Sequence, residues 1–515
     1  MSIDTPGWVR DAVFYQIFPD RFAASARVEK PGPLEPWDSP PTLHGFKGGD
    51  LLGIVERLDY LEDLGVTAIY MTPVFSSASN HRYHTYDYFE VDPLLGGDAA
   101  LRELLDAAHG RGMRVVLDGV FNHASRGFWP FHHVVETGAS SPYRDWFYLD
   151  DAALDAGRPL RPYPDGSELQ LLTSAASQEA HRTGEVSQRH LGYRAWWDLP
   201  ALPKLNTNNP HMREYLLGAA EHWLRFGIDG WRLDVAEEID EGFWREFRRR
   251  VRAVKPDAYI VAEIWREKPF WVGGDHFDAL MNYPFTYAVI SFVGGQRLDL
   301  SVVAQQHEYR AFVRPSDGPG FAASLEHLVT MYDRDVVAVQ LNLLGSHDTA
   351  RFLTVCGGDR AALRLATLVQ MTIPGAPSIY YGDEIGLEGA HDPDSRRSFP
   401  SDPARWDRDL HAFVRGAIAL RRRHRALRDG ELRILAAEGM AVAYSRFDDD
   451  GWFLVALNAG ESPAWMTILV PGDRRTFVGE AWDGWDAAPG RVFVADGDRL
   501  EIELPARDGL ILRAT

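Results

Sequence analysis

Eight short runs of apolar, β-prone residues recur along the chain, each followed by a segment with helical spacing: Val13–Phe18, Ala68–Met71, Arg114–Asp118, Gly230–Asp234, Tyr259–Glu263, Ala279–Asn282, Val337–Leu341 and Ser378–Tyr381. Strands that are apolar almost throughout are covered on both faces, and alternation with helices makes their sheet parallel. Eight such units are the number at which a parallel sheet closes on itself, so the pattern predicts an α/β fold, a (β/α)8 TIM barrel. The intervening helices carry start and stop signals. Asp50 is placed to cap a helix with Leu51, Ile54, Val55, Leu58 and Leu61 on one stripe, and Gly65 ends it. Asp98 to Gly110 repeats the plan with Leu101, Leu104, Leu105 and Ala108.

The alternation is interrupted once and then stops. The stretch 124–206, between the third and fourth runs, far exceeds what a strand-to-helix loop needs and is rich in His, Pro and aromatic residues, which predicts a subdomain inserted after strand 3. Beyond Arg423 the pattern turns to strands with turn signals: Ala441–Ser445, the turn Asp448–Gly451, Trp452–Leu457, Trp465–Val470 and Leu500–Leu504. That predicts a separate C-terminal antiparallel β domain of sandwich type. The expected division is barrel 1–123, insert 124–206, barrel 207–423 and β domain 424–515.

A net charge of −20 gives the surface field the wrong sign for nucleic-acid phosphates or anionic lipid, so the expected partner is a neutral small molecule, with neither nucleic acid nor membrane. No run of about 18 apolar residues and no basic-then-apolar leader is present. The expectation is a cytoplasmic protein. The single cysteine, Cys356, excludes an internal disulfide framework; it has no zinc-type partner pattern and reads as a small buried apolar residue. Aromatic residues make up 12% of the chain, and loop clusters such as Tyr193–Trp197 offer flat faces that suit the C–H faces of sugar rings.

The run Gly230–Ala236 reads as a buried strand carrying one arginine and one carboxylate. Strand side chains alternate, so Arg232 and Asp234 point the same way, and the guanidinium favours the ionised carboxylate a nucleophile needs. Acidic residues recur at equivalent strand ends: Asp118, Asp234, Glu263 and Asp348. Converging carboxyls cannot all ionise cheaply, so one keeps its proton; an anionic carboxylate beside a protonated acid is the equipment of a glycosidase. Asn122-His123 and His347-Asp348 add neutral hydrogen-bonding groups for sugar hydroxyls. Metal ligation is the rival reading for His123 and His347, and no HExxH-type spacing supports it, so no metal or other cofactor is predicted.

These blocks, Asp118–His123, Gly230–Glu238, Ala262–Trp265 and Gly345–Thr349, with Tyr380–Glu384 on the eighth strand, resemble glycoside hydrolase family 13, the α-amylase family, in order and spacing across the whole barrel. The resemblance implies Asp234 as nucleophile, Glu263 as general acid/base and Asp348 as the third carboxylate. It implies Tyr83, Arg232, His123 and His347 as the ring around the sugar at the cleavage point, Trp265 on the leaving-group side, and Asp392 and Arg396 on the sugar beyond it. Asp118 matches the family's buried structural acid. Leu202–Asn206, Tyr15–Phe22 and Met281–Pro284 resemble the neopullulanase, cyclomaltodextrinase and maltodextrin-glucosidase group, in which Lys204 stands where other groups have Asp.

That resemblance implies retaining hydrolysis of α-1,4-glucosidic bonds in maltodextrins or cyclodextrins, with the carboxyls of Asp234 and Glu263 about 5 to 5.5 Å apart. The alternatives are a transglycosylase using the same triad and a non-catalytic sugar-binding protein. Members of the group commonly carry an N-terminal β domain, whereas here barrel character begins at about Val13, so a monomer or weak homo-oligomer is expected. The loop Ala23–Arg27 after the first strand lacks the hard oxygen ligands calcium needs. His84 and Glu237 stand where relatives often have Asp and Asn.

Overall fold

The computed structural model describes residues 3–174, 178–471, 475–485 and 490–515. Its largest sheet contains β1 (Phe14–Ile17), β2 (Ala68–Met71), β3 (Arg114–Gly119), β4 (Gly230–Leu233), β5 (Tyr259–Ala262), β6 (Ala279–Leu280), β7 (Leu341–Leu343) and β8 (Ala376–Tyr380). They pair in parallel in the order β6-β5-β4-β3-β2-β1-β8-β7. The two ends of that order meet. Met281 bridges in parallel to Leu341, and the Asn282 N–H donates to the Leu341 carbonyl at 2.8 Å, so the barrel closes. Almost every strand residue is buried, which is why these runs lack the polar alternation of a half-exposed sheet.

Two expected elements are displaced. The seventh strand is Leu341–Leu343, whereas Val337, the start of the expected run, ends a helical turn, Arg334–Val337, whose start is capped by Asp333 accepting from the Asp335 N–H. A short apolar run has the same composition in a buried strand and a buried helix; here the cap decides. The stripe starting at Leu51 is carried by two helices, Leu51–Val55 and Leu58–Leu64, with Asp50 accepting from the Gly53 N–H and Gly65 closing the second at φ 96°. Asp98 lies in the first turn of the helix Gly97–Gly110.

The insert between β3 and β4 is mostly helical, with Trp129–Thr137, Asp151–Asp155, Gly166–Ser174, Gln178–Thr183 and Glu185–Leu191. Its return segment is laced to the chain leaving β3: Ala124 N–H donates to the Pro203 carbonyl at 3.1 Å and Leu205 N–H to the Asn122 carbonyl at 3.0 Å. The helix Pro210–Phe226, capped by Asn209, then leads into β4.

Beyond the barrel, β9 (Glu431–Glu438), β10 (Ala441–Phe447), β11 (Trp452–Asn458), β12 (Ala464–Leu469), β13 (Thr476–Gly479), β14 (Val492–Val494), β15 (Arg499–Leu504) and β16 (Asp508–Ala514) form antiparallel sheets ordered β14-β13-β16-β11-β10-β9 and β12-β15. Alternate residues of β10 and β11 belong to different cores. Ala441, Ala443, Trp452 and Leu454 face a small core shared with Met466, Ile468 and Ile502, while Val442, Tyr444, Phe453 and Val455 join the barrel's core. The C-terminal strands thus form their own antiparallel sheets, as expected, while one face of β10 and β11 packs on the barrel. Two fully buried arginines reinforce the seam: Arg421 donates to the carbonyls of Met371, Ile373, Leu427 and Gly375, and Arg446 to those of Thr372, Leu427 and Gly430. Among the described residues, no helix is long and apolar enough to cross a membrane.

Candidate active site

Because the eight strands are parallel, residues at their carboxyl ends share one rim. Asp118 sits within β3, Asp234 directly follows β4 and Glu263 directly follows β5; Asp348 lies in the segment after β7. Arg232, in β4, is fully buried at their centre. Its Nη1 lies 2.9 Å from Asp118 Oδ1 and 2.9 Å from Asp234 Oδ1, and its Nη2 lies 3.1 Å from Glu263 Oε2 and 4.0 Å from Asp348 Oδ2. Asp234 and Glu263 thus lie against the two terminal nitrogens of one guanidinium.

Exposure separates the four acids. The Asp118 side chain is 0% exposed, whereas Asp234, Glu263 and Asp348 keep 9%, 10% and 29%, so only the last three present surface to a substrate. Asp118 is tied down by Tyr70 and Tyr83, whose hydroxyls donate to Oδ2 at 2.9 and 2.7 Å. Glu263 accepts from the Val235 N–H at 3.0 Å and from Trp265 Nε1–H at 2.9 Å, and the Trp265 ring lies flat on Tyr283 at 3.8 Å. Val235 adopts left-handed backbone (φ 46°, ψ 42°), a conformation that costs a β-branched residue about 1–3 kcal/mol. That turn aims its N–H at Glu263.

His347 is fixed from three sides. Gln16 Nε2 lies 2.9 Å from Nδ1, so the amide donates there and the imidazole proton sits on Nε2, 2.6 Å from the Tyr83 hydroxyl and 3.1 Å from Asp348 Oδ2. Burial, then Arg396 and Arg232, hold His347 well below the usual imidazole range, and burial with His84 and Lys204 pushes His123 down to about 3. Both rings are neutral at pH 7. His123 stacks on Trp196 at 4.7 Å, and Lys204 beside it pairs with Glu238 at 3.2 Å. Arg396 donates from Nε to the His347 carbonyl at 2.9 Å, and its other nitrogens lie 3.1 Å from Asp392 and 3.7 Å from Asp348.

Five carboxyls, Asp392 included, therefore meet two guanidinium cations, so full ionisation of the cluster is costly. Burial and then Glu263 push Asp348 up to about 7. The same two causes raise Asp234 well above the ordinary carboxylate range, with Arg232 opposing. Arg232 favours the Asp234 anion, but its cation is divided among Asp118, Asp234 and Glu263.

The structure brings together Asp234, Glu263, Asp348, Arg232, Tyr83, His347 and Trp265, with Arg396 and Asp392 one contact further out. His123 lies on the neighbouring wall with the insert. Sequence reasoning missed Gln16 and Tyr70, whose signal was a polar group inside an otherwise apolar barrel strand, and Tyr283, the backing of Trp265. Among the described residues, no group of three or more His, Cys, Asp or Glu is arranged to hold a metal ion.

Comparison with known proteins bears on the same residues. A model of the alpha amylase catalytic domain matches residues 16–425. A cyclomaltodextrinase from Geobacillus thermopakistaniensis is 41% identical over 504 residues, spanning 97% of this chain and 76% of that protein, and neopullulanase 2 from Thermoactinomyces vulgaris is 40% identical over 512 residues, spanning 99% and 78%. The crystal structure of a debranching enzyme from Nostoc punctiforme superposes with a TM-score of 0.83 at 45% identity, covering 100% of both chains. The chain belongs to the α-amylase family of glycoside hydrolases.

Proposed function

We propose that this protein hydrolyses α-1,4-glucosidic bonds of maltodextrins or cyclodextrins with retention of anomeric configuration, using Asp234, Glu263 and Asp348. The observation that carries this reading is the pairing of Asp234 and Glu263 on one buried guanidinium at adjacent strand ends. In the reaction Glu263 donates a proton to the leaving glycosidic oxygen. Asp234, ionised beside Arg232, attacks the anomeric carbon and forms a glycosyl ester; water deprotonated by Glu263 then releases the sugar. Asp348, with neutral His347 and His123, holds sugar hydroxyls and meets the charge that develops on the ring. The family relatives named cyclomaltodextrinase and neopullulanase support the substrate class.

A second reading, cleavage at α-1,6 branch points, is favoured by the full-length likeness to the Nostoc punctiforme debranching enzyme. Chromatography of products from maltotriose, β-cyclodextrin, pullulan and starch separates the two. Glucose and maltose from the first two substrates, with panose from pullulan, supports α-1,4 cleavage. Maltotriose from pullulan supports α-1,6 cleavage, and longer oligosaccharides built from maltotriose mark transfer to a sugar acceptor. No products from any α-glucan overturns the reading.

A further inference from the structure

Groups on opposite edges of His347 decide which ring nitrogen carries the proton. On one edge stands Gln16, a polar residue inside an otherwise apolar strand, 2% exposed and level with Tyr70 of β2 and Tyr380 of β8. Its amide nitrogen lies 2.9 Å from His347 Nδ1. On the other edge Nε2 faces the Tyr83 hydroxyl at 2.6 Å and Asp348 Oδ2 at 3.1 Å. The two edges differ in kind: an amide does not titrate, whereas a carboxyl does.

The Asp348 edge cannot hold the ring in one form. With its carboxyl pushed up to about 7, Asp348 is an acceptor for Nε2–H when ionised and a donor toward a bare Nε2 when protonated. The Tyr83 hydroxyl adapts to either, accepting from Nε2–H while it donates to Asp118 at 2.7 Å, or turning its proton toward Nε2. With those two partners alone, the imidazole proton would shift to Nδ1 whenever Asp348 took up a proton. Gln16 blocks that shift. A proton on Nδ1 would meet the amide N–H and leave two buried donors facing each other unpaired. The other charged or titratable groups around the ring are Arg396 from the segment after β8, Arg232 from β4 and His81 from the segment after β2, and all three oppose a second proton on it.

We infer that Gln16 is a positioning residue that locks His347 as a neutral ring with its proton on Nε2 in both protonation states of Asp348. The same N–H is then presented to a hydroxyl of the reacting sugar throughout the cycle, while the carboxyls around it change charge. Hydrogen bonds to hydroxyls of the reacting ring strengthen in the transition state, so the lock acts on kcat. This rests on the glycosidase reading of the site.

The test is nitrogen NMR on the full chain labelled at histidine, comparing the parent with Gln16→Met and Gln16→Glu and identifying the His347 signals by their loss in His347→Gln. In the parent one His347 nitrogen is protonated and the other bare, with no change over roughly one pH unit on either side of about 7. In Gln16→Met the two nitrogens are expected to exchange roles as pH falls through that window. In Gln16→Glu a carboxylate accepts at Nδ1 while Asp348 faces Nε2, and both nitrogens are expected to carry protons. On maltotriose, kcat of Gln16→Met should fall about tenfold with KM within about twofold of the parent. A residue that only fills space would lower the thermal midpoint and leave both kcat and the His347 signals as they were. A Gln16→Met spectrum as independent of pH as the parent's, or a parental kcat, overturns the inference. If Gln16→Met does not fold, the isosteric Gln16→Glu decides, and a bare nitrogen persisting in its His347 ring overturns the lock. A parent that hydrolyses no α-glucan removes the glycosidase reading instead, and the spectra still test the lock.

Discussion

Replacing Arg232 with Met removes the one cation that the central carboxyls share while keeping a side chain of similar length in a fully buried position. An opposite charge within about 4–6 Å lowers a carboxyl pKa by about 1–3 units, each unit being about 1.4 kcal/mol. Arg232 stands 2.9 Å from Asp234 but equally close to Asp118, so the lower part of that range applies, about 1–2 units. The nucleophile must be ionised, and losing the cation raises its pKa, so the acid limb of kcat/KM moves to higher pH by that amount. At a pH below the limb, activity with a chromogenic α-glucoside falls by about 10- to 100-fold from ionisation alone. Stability carries the same sign. With the folded-state pKa values of Asp118 and Asp234 raised further, destabilisation of the variant grows as pH rises, toward the roughly 3–5 kcal/mol of an uncompensated buried charge. Arg232→Lys should recover little, because an ammonium lacks the fork that spans two carboxyls. An acid limb that stays in place in Arg232→Met would refute the shared-cation argument.

Glu263→Gln should lower kcat on maltotriose by at least about 10²- to 10⁴-fold, read by product release, and full activity would remove Glu263 from the chemistry. Tyr83→Phe deletes a hydroxyl that donates to buried Asp118 at 2.7 Å and lies 2.6 Å from His347; the unsatisfied groups should cost about 1–3 kcal/mol in thermal denaturation, together with a drop in kcat. Away from the site, Glu384 is buried beneath the hydroxyls of Tyr15 and Tyr60, and burial pushes it up to about 7. Its folded-state pKa exceeds its unfolded value, so the proton it holds stabilises the fold at low pH, and that contribution is lost as pH rises from about 4.5 to 7. Glu384→Gln should therefore improve relative to the parent by up to roughly 3 kcal/mol over that window, measured as the difference in chemical-denaturation free energy at each pH; a difference independent of pH would contradict this.

Much of the barrel was legible because its strands are buried on both faces and recur, a signal that survives without knowledge of contacts. A single acid at a strand end is often a cap or an arginine's partner; what stood out in the sequence was their recurrence at Asp118, Asp234, Glu263 and Asp348, with alternation placing Arg232 and Asp234 on one side. Contacts between distant segments were not legible. Nothing in Val337–Leu341 reveals that Asp333 caps a helical turn that takes in Val337 and that β7 begins only at Leu341. The sharing of Arg232 among Asp118, Asp234 and Glu263 needs three strands in register, and the tautomer of His347 depends on Gln16 in β1. The C-terminal sheet reads locally as an independent module, yet alternate residues of β10 and β11 serve different cores, which only their packing against the barrel makes visible.

The most direct test of the two-carboxyl account is the anomeric form of the sugar first released from an α-linked maltooligosaccharide, followed by proton NMR before mutarotation. Asp234 attacking as nucleophile, with Glu263 serving as acid and then base, predicts that the α anomer appears first. Initial release of the β anomer would mean that water attacks directly, and would contradict the role given to Asp234.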